Sequence, residues 1–186
     1  MFAAVTRILR PAAFVLFLRI MTIPLILTLQ LETTAAARFN QLRRTYYPAY
    51  ANVVDAHLTL FHRLPADECR IVDALTAITG QYTPFTLQVT GLQRYTNGVA
   101  YTLASEALQL LHHSLQQQWM PLLTWRDQQP LQPHITIMNK VTAYKAQLLY
   151  DQLSGDFIPF EAAATGVQLW RYRKGPWELA ETYSFA

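Results

Sequence analysis

The chain has 186 residues, of which 52% are apolar and 15% are charged, a composition that argues against disorder and allows one domain with a sizeable core. Its net charge of +3 lacks the dense positive field of proteins that grip long duplexes, so a nucleotide ligand is permitted but not required. The single cysteine, Cys69, excludes an intrachain disulfide and a cysteine-held zinc ion, and fits a reducing, cytoplasmic compartment.

The first twenty residues differ from the rest of the chain. Arg7 and Arg10 precede the apolar run AAFVLFL, as in a signal peptide, but Arg19 interrupts the run and no small-residue cleavage site follows. The run is also shorter than the roughly 20 residues that cross a bilayer. We therefore predict a dispensable leader over residues 1–20 and a compact domain over residues 21–186. A short amphipathic anchor is the alternative for the leader.

Hydrophobic periodicity and turn residues predict a regular order of strands and helices in both halves of the chain. The first half predicts a strand over IPLILTLQL, a helix that Pro48 ends, a strand beginning at His57, a helix between Asp67 and Gly80, and two strands joined at Asn97 and Gly98. The second half predicts a helix capped by Ser105, a strand at His134, a helix ended by Gly155, and two strands around a KGP turn. The similar halves suggest two related lobes whose open strand faces meet across a cleft, with helices outside.

The pattern His, apolar, Thr, apolar occurs twice, as HLTL from His57 and as HITI from His134. Because side chains alternate along a strand, His57, Thr59 and Phe61 share one face, as do His134 and Thr136 on theirs. Two imidazoles across a cleft suit proton transfer at a phosphodiester, since histidine donates or accepts a proton near neutral pH. A threonine hydroxyl two residues along can donate to the nonbridging oxygens without a metal.

These motifs, H-L-T-L and P-H-I-T-I with the closing LWRYRKGPWEL, resemble the two-histidine phosphoesterases, and among them the bacterial 2'-5' RNA ligase and RNA cyclic phosphodiesterase branch. The resemblance covers about residues 21–185 and implies an α+β fold of two pseudo-symmetric antiparallel-sheet lobes around a central cleft. It also implies action on RNA 2',3'-cyclic phosphate ends, 2'-5' linkages or a small nucleotide, with no metal or other cofactor. By motif, His57 and His134 are the acid and base in an unassigned order, and Thr59 and Thr136 bind the phosphate.

Substrate contacts beyond the tetrads are less specific in the sequence. Phe61 shares the face of His57 and is a candidate for stacking on a base, as is Tyr172, although aromatic residues in strands are more often core. Arg171 is a candidate for a phosphate contact, and the alternative is the charged face of an exposed strand. Further basic and aromatic candidates are Arg173, Lys174, Trp170 and the tyrosines 46, 47 and 50.

Other histidines and single reactive groups favour structural roles. A zinc site needs three or four converging ligands, whereas His62 faces away from the first tetrad histidine and His112 and His113 diverge on a helix. Cys69 lies inside a predicted helix and is predicted to be a small buried residue. Asp55 either orients a histidine or lies in water.

The rival functions are a binding module for RNA ends and a membrane-associated protein built around the leader. No stable membrane partner is expected, and because the sequence has no heptads we expect a monomer.

Overall fold

The computed structural model describes residues 23–66, 69–173 and 175–186. The predicted leader and the predicted domain start at Met21 lie outside these residues, as do Asp67 and Lys174. Within the described part of the chain, no helix combines the length and the apolar character needed to traverse a bilayer.

Strands and helices follow the predicted order along the described residues. They are β1 (Leu25–Leu31), α1 (Thr33–Tyr46), β2 (Leu58–Leu64), α2 (Cys69–Thr79), β3 (Phe85–Tyr95), β4 (Gly98–Ala104), α3 (Glu106–Trp119), β5 (His134–Met138), α4 (Ala143–Gly155), β6 (Phe160–Arg171) and β7 (Glu178–Ser184). The first tetrad runs into β2 and the second opens β5, so both lie on strands as predicted. The α+β class is confirmed.

Local sequence signals explain where the helices begin and end. The Ser105 hydroxyl accepts the backbone N–H of Leu108 and caps α3, and the Thr142 hydroxyl accepts that of Lys145 and caps α4. Helix α3 ends at Trp119, because Pro121 cannot extend an α-helix and sits in a short 3-10 turn. Capping therefore fixes both helices that flank β5.

All strands pair antiparallel in one sheet with the order β2-β1-β6-β3-β4-β5, and β7 pairs with the free part of β6. The two predicted lobes are thus halves of one hydrogen-bonded sheet. Strand β6 joins them because its 12 residues are long enough to pair first with β3 and then with β1 and β7. Strands β2 and β5 lie at opposite ends of this order and still contact each other, so the sheet curls and brings the tetrads together.

The helices are exchanged between the two halves. Helix α1 precedes the first tetrad but contacts β5, and its Phe39 packs edge-on against Tyr101 of β4 at 5.6 Å between ring centroids. Helix α3 precedes the second tetrad, but its His112 stacks on Phe61 of β2 at 4.7 Å. Each tetrad strand is therefore supported by the helix that comes before the other tetrad.

A β-bulge in β2 makes two sequence predictions wrong: that Phe61 shares the face of the tetrad histidine, and that His62, which lines one cavity with Thr59 and His134, faces away from it. Thr28 pairs with Thr59, but Leu27 pairs with Phe61, so Leu60 is an extra residue on β2. A bulge of this kind reverses the face on which the following side chains lie. Phe61 is therefore fully buried beside Leu60 instead of sharing the open face of the tetrad histidine. It belongs to the core and not to the substrate surface.

The prediction that Cys69 is buried is also wrong. Cys69 is the first residue of α2 and is exposed. The buried stripe of this helix begins two residues later, at Ile71, and continues through Leu75 and Ile78. Cys69 precedes that stripe, so the helical period turns its side chain to solvent.

Candidate active site

Both tetrad histidines are held in the same way by the backbone two residues before them. The distance from His57 Nδ1 to the Asp55 carbonyl oxygen is 2.7 Å, and that from His134 Nδ1 to the Gln132 carbonyl oxygen is 2.8 Å. A carbonyl oxygen only accepts, so each Nδ1 carries a proton and donates it. This fixes both rings and leaves each Nε2 for proton transfer. Asp55 orients His57 through its backbone and not through its carboxylate.

The tetrads are combined crosswise in two neighbouring cavities. The His57 cavity, of about 330 Å³, is lined by His57 and Thr136, and the His134 cavity, of about 210 Å³, is lined by His134 and Thr59. Each histidine thus lies beside the threonine of the other tetrad. Among the described residues, neither threonine hydroxyl bonds to another side chain or to the backbone, so both remain available to a ligand.

Burial sets the protonation state of His57. Desolvation lowers the pKa of its imidazole to about 4. The hydrogen bond to the Asp55 carbonyl opposes this shift, and the charges of Arg43, His134 and His62 add to it. His57 is therefore neutral at neutral pH, with a lone pair on Nε2, which is the state of a general base.

This lowered pKa predicts a loss of stability on acidification. Between about pH 6.5 and about pH 4 the unfolded chain binds a proton at this histidine that the folded chain does not bind, so falling pH favours unfolding. Part of the His57 side chain still contacts solvent, which reduces the free energy that the pKa shift represents. We therefore expect His57 to contribute about 1 to 3 kcal/mol to this loss of stability. Urea unfolding of the native chain and of His57→Gln at about pH 7.5 and about pH 4.5 measures the contribution as the difference between the two pH dependences.

His113, which is exposed on α3, supplies the control for this measurement. We expect His113→Gln to keep the native pH dependence, whereas His57→Gln flattens it. Equal pH dependence in the native chain and in His57→Gln would contradict the lowered pKa.

Charged and aromatic groups complete the His57 cavity. Arg43, Tyr47, Lys140 and Tyr172 line it together with the tetrad residues. Lys140 has a φ of 60°, which a residue with a side chain adopts at a cost. The Arg43 guanidinium lies 4.2 Å from the centroid of the Tyr47 ring. The cavity therefore presents two cations and two phenol rings near His57.

The candidate substrate residues separate into two groups. Tyr172 lies in the His57 cavity, and Tyr50 is exposed, with its hydroxyl donating to the carbonyl oxygen of Lys140, which lines that cavity. Arg171 instead pairs with Glu178 across the β6–β7 hairpin at 3.2 Å, and Arg173 pairs with the same carboxylate. Arg171 lines neither tetrad cavity, and its position matches the alternative reading as the charged face of an exposed strand.

Three residues of the site were missed by sequence reasoning. Arg43 follows the buried Phe39 by four residues, a spacing that would have placed its side chain on the inner face of α1. Lys140 follows the second tetrad closely, and this proximity would have indicated it as a candidate. Trp177 lies 4.6 Å from the His57 ring, centroid to centroid, and nothing in its KGPWEL turn indicates this contact.

His62 has a local partner outside the tetrads. His62 contacts the Asp127 carboxylate at 3.2 Å, and the same carboxylate accepts the backbone N–H groups of His62 and Arg63. Across residues 23–66, 69–173 and 175–186, no three His, Cys, Asp or Glu side chains converge as metal ligands.

Comparison with known proteins gives a family and a fold. The model of the 2'-5' RNA ligase superfamily matches residues 31–176. No curated protein matches the chain. Among solved structures, TT0787 of Thermus thermophilus is 18% identical, with 87% of this chain and 97% of that chain covered and a TM-score of 0.62. E. coli LigT complexed with 3'-AMP is 18% identical, with 88% and 99% covered and a TM-score of 0.56. E. coli LigT complexed with NADP+ is 20% identical, with 87% and 98% covered and a TM-score of 0.54. At these identities, the structural likeness shows the fold.

Proposed function

The chain belongs to the 2'-5' RNA ligase superfamily, and we propose that it is a metal-independent phosphoesterase that acts on RNA 2',3'-cyclic phosphate ends or on 2'-5' linkages. The observation that carries this proposal is the crossed arrangement of the tetrads, in which each histidine shares a cavity with the threonine of the other. The family match confirms the resemblance to the two-histidine phosphoesterases. The reaction and the substrate are the proposal.

His57 is the base when a cyclic phosphate is hydrolysed, because burial keeps it neutral. Its Nε2 takes a proton from the attacking water as the water oxygen bonds to phosphorus. His134, protonated, gives a proton from Nε2 to the ribose oxygen as its bond to phosphorus breaks. One water is consumed, and the product is a phosphate monoester on one ribose hydroxyl. The same two transfers in reverse make a phosphodiester.

The negative charge of the phosphate needs hydrogen-bond donors around it. The hydroxyls of Thr59 and Thr136 lie in the two tetrad cavities and donate to the nonbridging oxygens. Lys140 adds a positive charge at the rim of the His57 cavity. Donors that stand in place before the reaction stabilise the charge that develops on these oxygens in the transition state.

A ribonucleotide is the ligand class that the comparisons support. Two of the E. coli LigT structures of this fold are complexes with 3'-AMP and with NADP+. Both ligands contain a ribose and phosphate, as does the end of an RNA chain. The phenol rings of Tyr47 and Tyr172 offer flat surfaces for a base in the cavity that contains His57.

Incubation in chelator with a short RNA ending in a 2',3'-cyclic phosphate tests the proposal. We expect turnover to a single isomer, either the 2'-phosphate or the 3'-phosphate, because one fixed acid can protonate only one of the two leaving oxygens. A 2'-5' dinucleotide, incubated in parallel, shows whether that linkage is cleaved as well. Turnover only after a divalent metal is restored would contradict the two-histidine mechanism. RNA retained unchanged over hours would favour the binding module.

A further inference from the structure

A third cavity adjoins the His57 cavity and shares part of its lining. This outer cavity, of about 520 Å³, lies between β1, α1, β6 and the segment 54–57. Val54, His57 and Trp177 line both the outer cavity and the His57 cavity, whereas neither Thr136 nor His134 lines the outer one. The outer cavity therefore lies beyond the reacting groups, next to the imidazole that takes the proton.

Aromatic rings form one wall of the outer cavity. The Trp177 ring lies 4.6 Å from the His57 ring and 6.2 Å from the Trp170 ring, between centroids. Trp170 is fixed, because its indole N–H donates to the buried Thr28 hydroxyl at 2.9 Å. The two indoles are tilted to each other by 58°, so each ring offers its own face, and a nucleobase of any identity can stack on an indole.

Polar groups that suit a nucleotide line the rest of the cavity. Gln30, Gln168 and Asn40 bring carboxamides, which match the donors and acceptors on the edge of a base, although the Asn40 oxygen already accepts the backbone N–H of Ala56. Asp55 brings a carboxylate, which can accept from a base amino group or a ribose hydroxyl. Arg44 brings a cation whose guanidinium bonds only the exposed Gln41 among the described residues. The volume falls in the range of about 300 to 1,000 Å³ that is usual for small-ligand sites.

We propose that the outer cavity binds the nucleoside next to the one that carries the reacting phosphate, so that the preferred substrate is an RNA end of at least two nucleotides. One base stacks on Trp177, and the phosphate beyond it approaches Arg44. A cyclic mononucleotide fills the His57 cavity alone and leaves the outer cavity to water. This inference rests on the proposed function, since it names the substrate length at the same site.

Two substrates separate the inference from the proposed function. The kcat/KM is measured for a 2',3'-cyclic mononucleotide and for a dinucleotide that ends in the same cyclic nucleotide. We expect the dinucleotide to be favoured by about tenfold or more, the gain that one stacked base gives. If both are turned over equally well, the outer cavity does not bind a nucleoside and the proposed function stands. If neither is turned over, the proposed function itself fails.

Variants of outer-cavity residues test whether the preference for the dinucleotide arises in this cavity. Ala37 lies on the exposed side of α1 and lines the cavity, so Ala37→Phe fills it without touching the core. We expect Ala37→Phe and Trp177→Ala each to lower the ratio of the two kcat/KM values towards one. Ala143→Phe, on the exposed start of α4, and Trp125→Ala, at a tryptophan that is 76% exposed, are the matched controls and should keep the native ratio. A native ratio in both cavity variants would overturn the assignment.

Discussion

His57→Ala and His134→Ala are each expected to lower kcat by about 10² to 10⁴, the usual contribution of one general acid or base. The folded structure should survive both changes, because each imidazole makes one hydrogen bond, from Nδ1 to a backbone carbonyl at the edge of the cleft. The measurement is single-turnover hydrolysis of the cyclic-phosphate RNA, which separates the chemical step from product release.

The double variant sharpens the test of a paired mechanism. Because the base and the acid act in one displacement, removing the second histidine should cost less than removing the first. The kcat of the double variant is thus expected to be well above the value obtained by multiplying the two single effects. His113→Ala, at an exposed histidine of α3, should leave kcat within about twofold. Strict multiplication of the two single effects would mean that the histidines act in separate steps or not at all.

The predictions that held depend on local signals. Strand alternation and the turn at Asn97 and Gly98 set β3 and β4, and the caps at Ser105 and Thr142 set α3 and α4. Both tetrads lie on strands for the same reason. These signals depend on a few neighbouring residues, so they can be recognised in the sequence without knowledge of the fold.

Apart from Cys69, the positions that sequence analysis misplaced, left open or missed depend on contacts between distant segments. Phe61 entered the core because β2 pairs with β1 through a bulge, and no residue type in HLTLF marks an extra residue. Arg171 met Glu178 only because the hairpin register places them opposite each other. Trp177 precedes β7 and packs against His57 just before the start of β2, although β1 and β6 lie between these two strands in the sheet. Strand register and tertiary packing decide these positions, and neither can be deduced from the local pattern of a single sequence.

The exchange of helices between the halves is the most consequential of these unpredicted features, and Arg43 is its clearest sign. From α1, its Nη1 donates to the Thr136 carbonyl oxygen at 2.8 Å, its Nη2 to the Val54 carbonyl oxygen at 2.9 Å, and its Nε to the Asn52 side chain at 3.1 Å. One buried guanidinium thus joins the segment before the first tetrad to the strand of the second. On α3, the His112 ring stacks on Phe61 of β2, the strand of the first tetrad.

Arg43→Met is expected to lower the free energy of unfolding by roughly 2 to 5 kcal/mol, because it leaves the Thr136 and Val54 carbonyls without their donor in a buried place. It should also lower kcat, since β5 and the segment before His57 are no longer held together. Urea unfolding measures the first effect and single-turnover hydrolysis the second. For the unfolding measurement Arg44→Met is the matched control, because Arg44 is exposed and its replacement should change the free energy of unfolding by less than about 0.5 kcal/mol.

A titration of the His57 ring by NMR distinguishes positioning from simple stabilisation. The charge of Arg43 is one of the causes that hold the pKa of His57 down at about 4. Arg43→Met removes that charge, so the midpoint of His57 should rise, whereas Arg43→Lys keeps a charge and should retain more of the shift while losing part of the hydrogen bonding. An Arg43→Met variant as stable as Arg44→Met, with an unmoved His57 midpoint, would show that the two tetrads are held together by apolar packing alone.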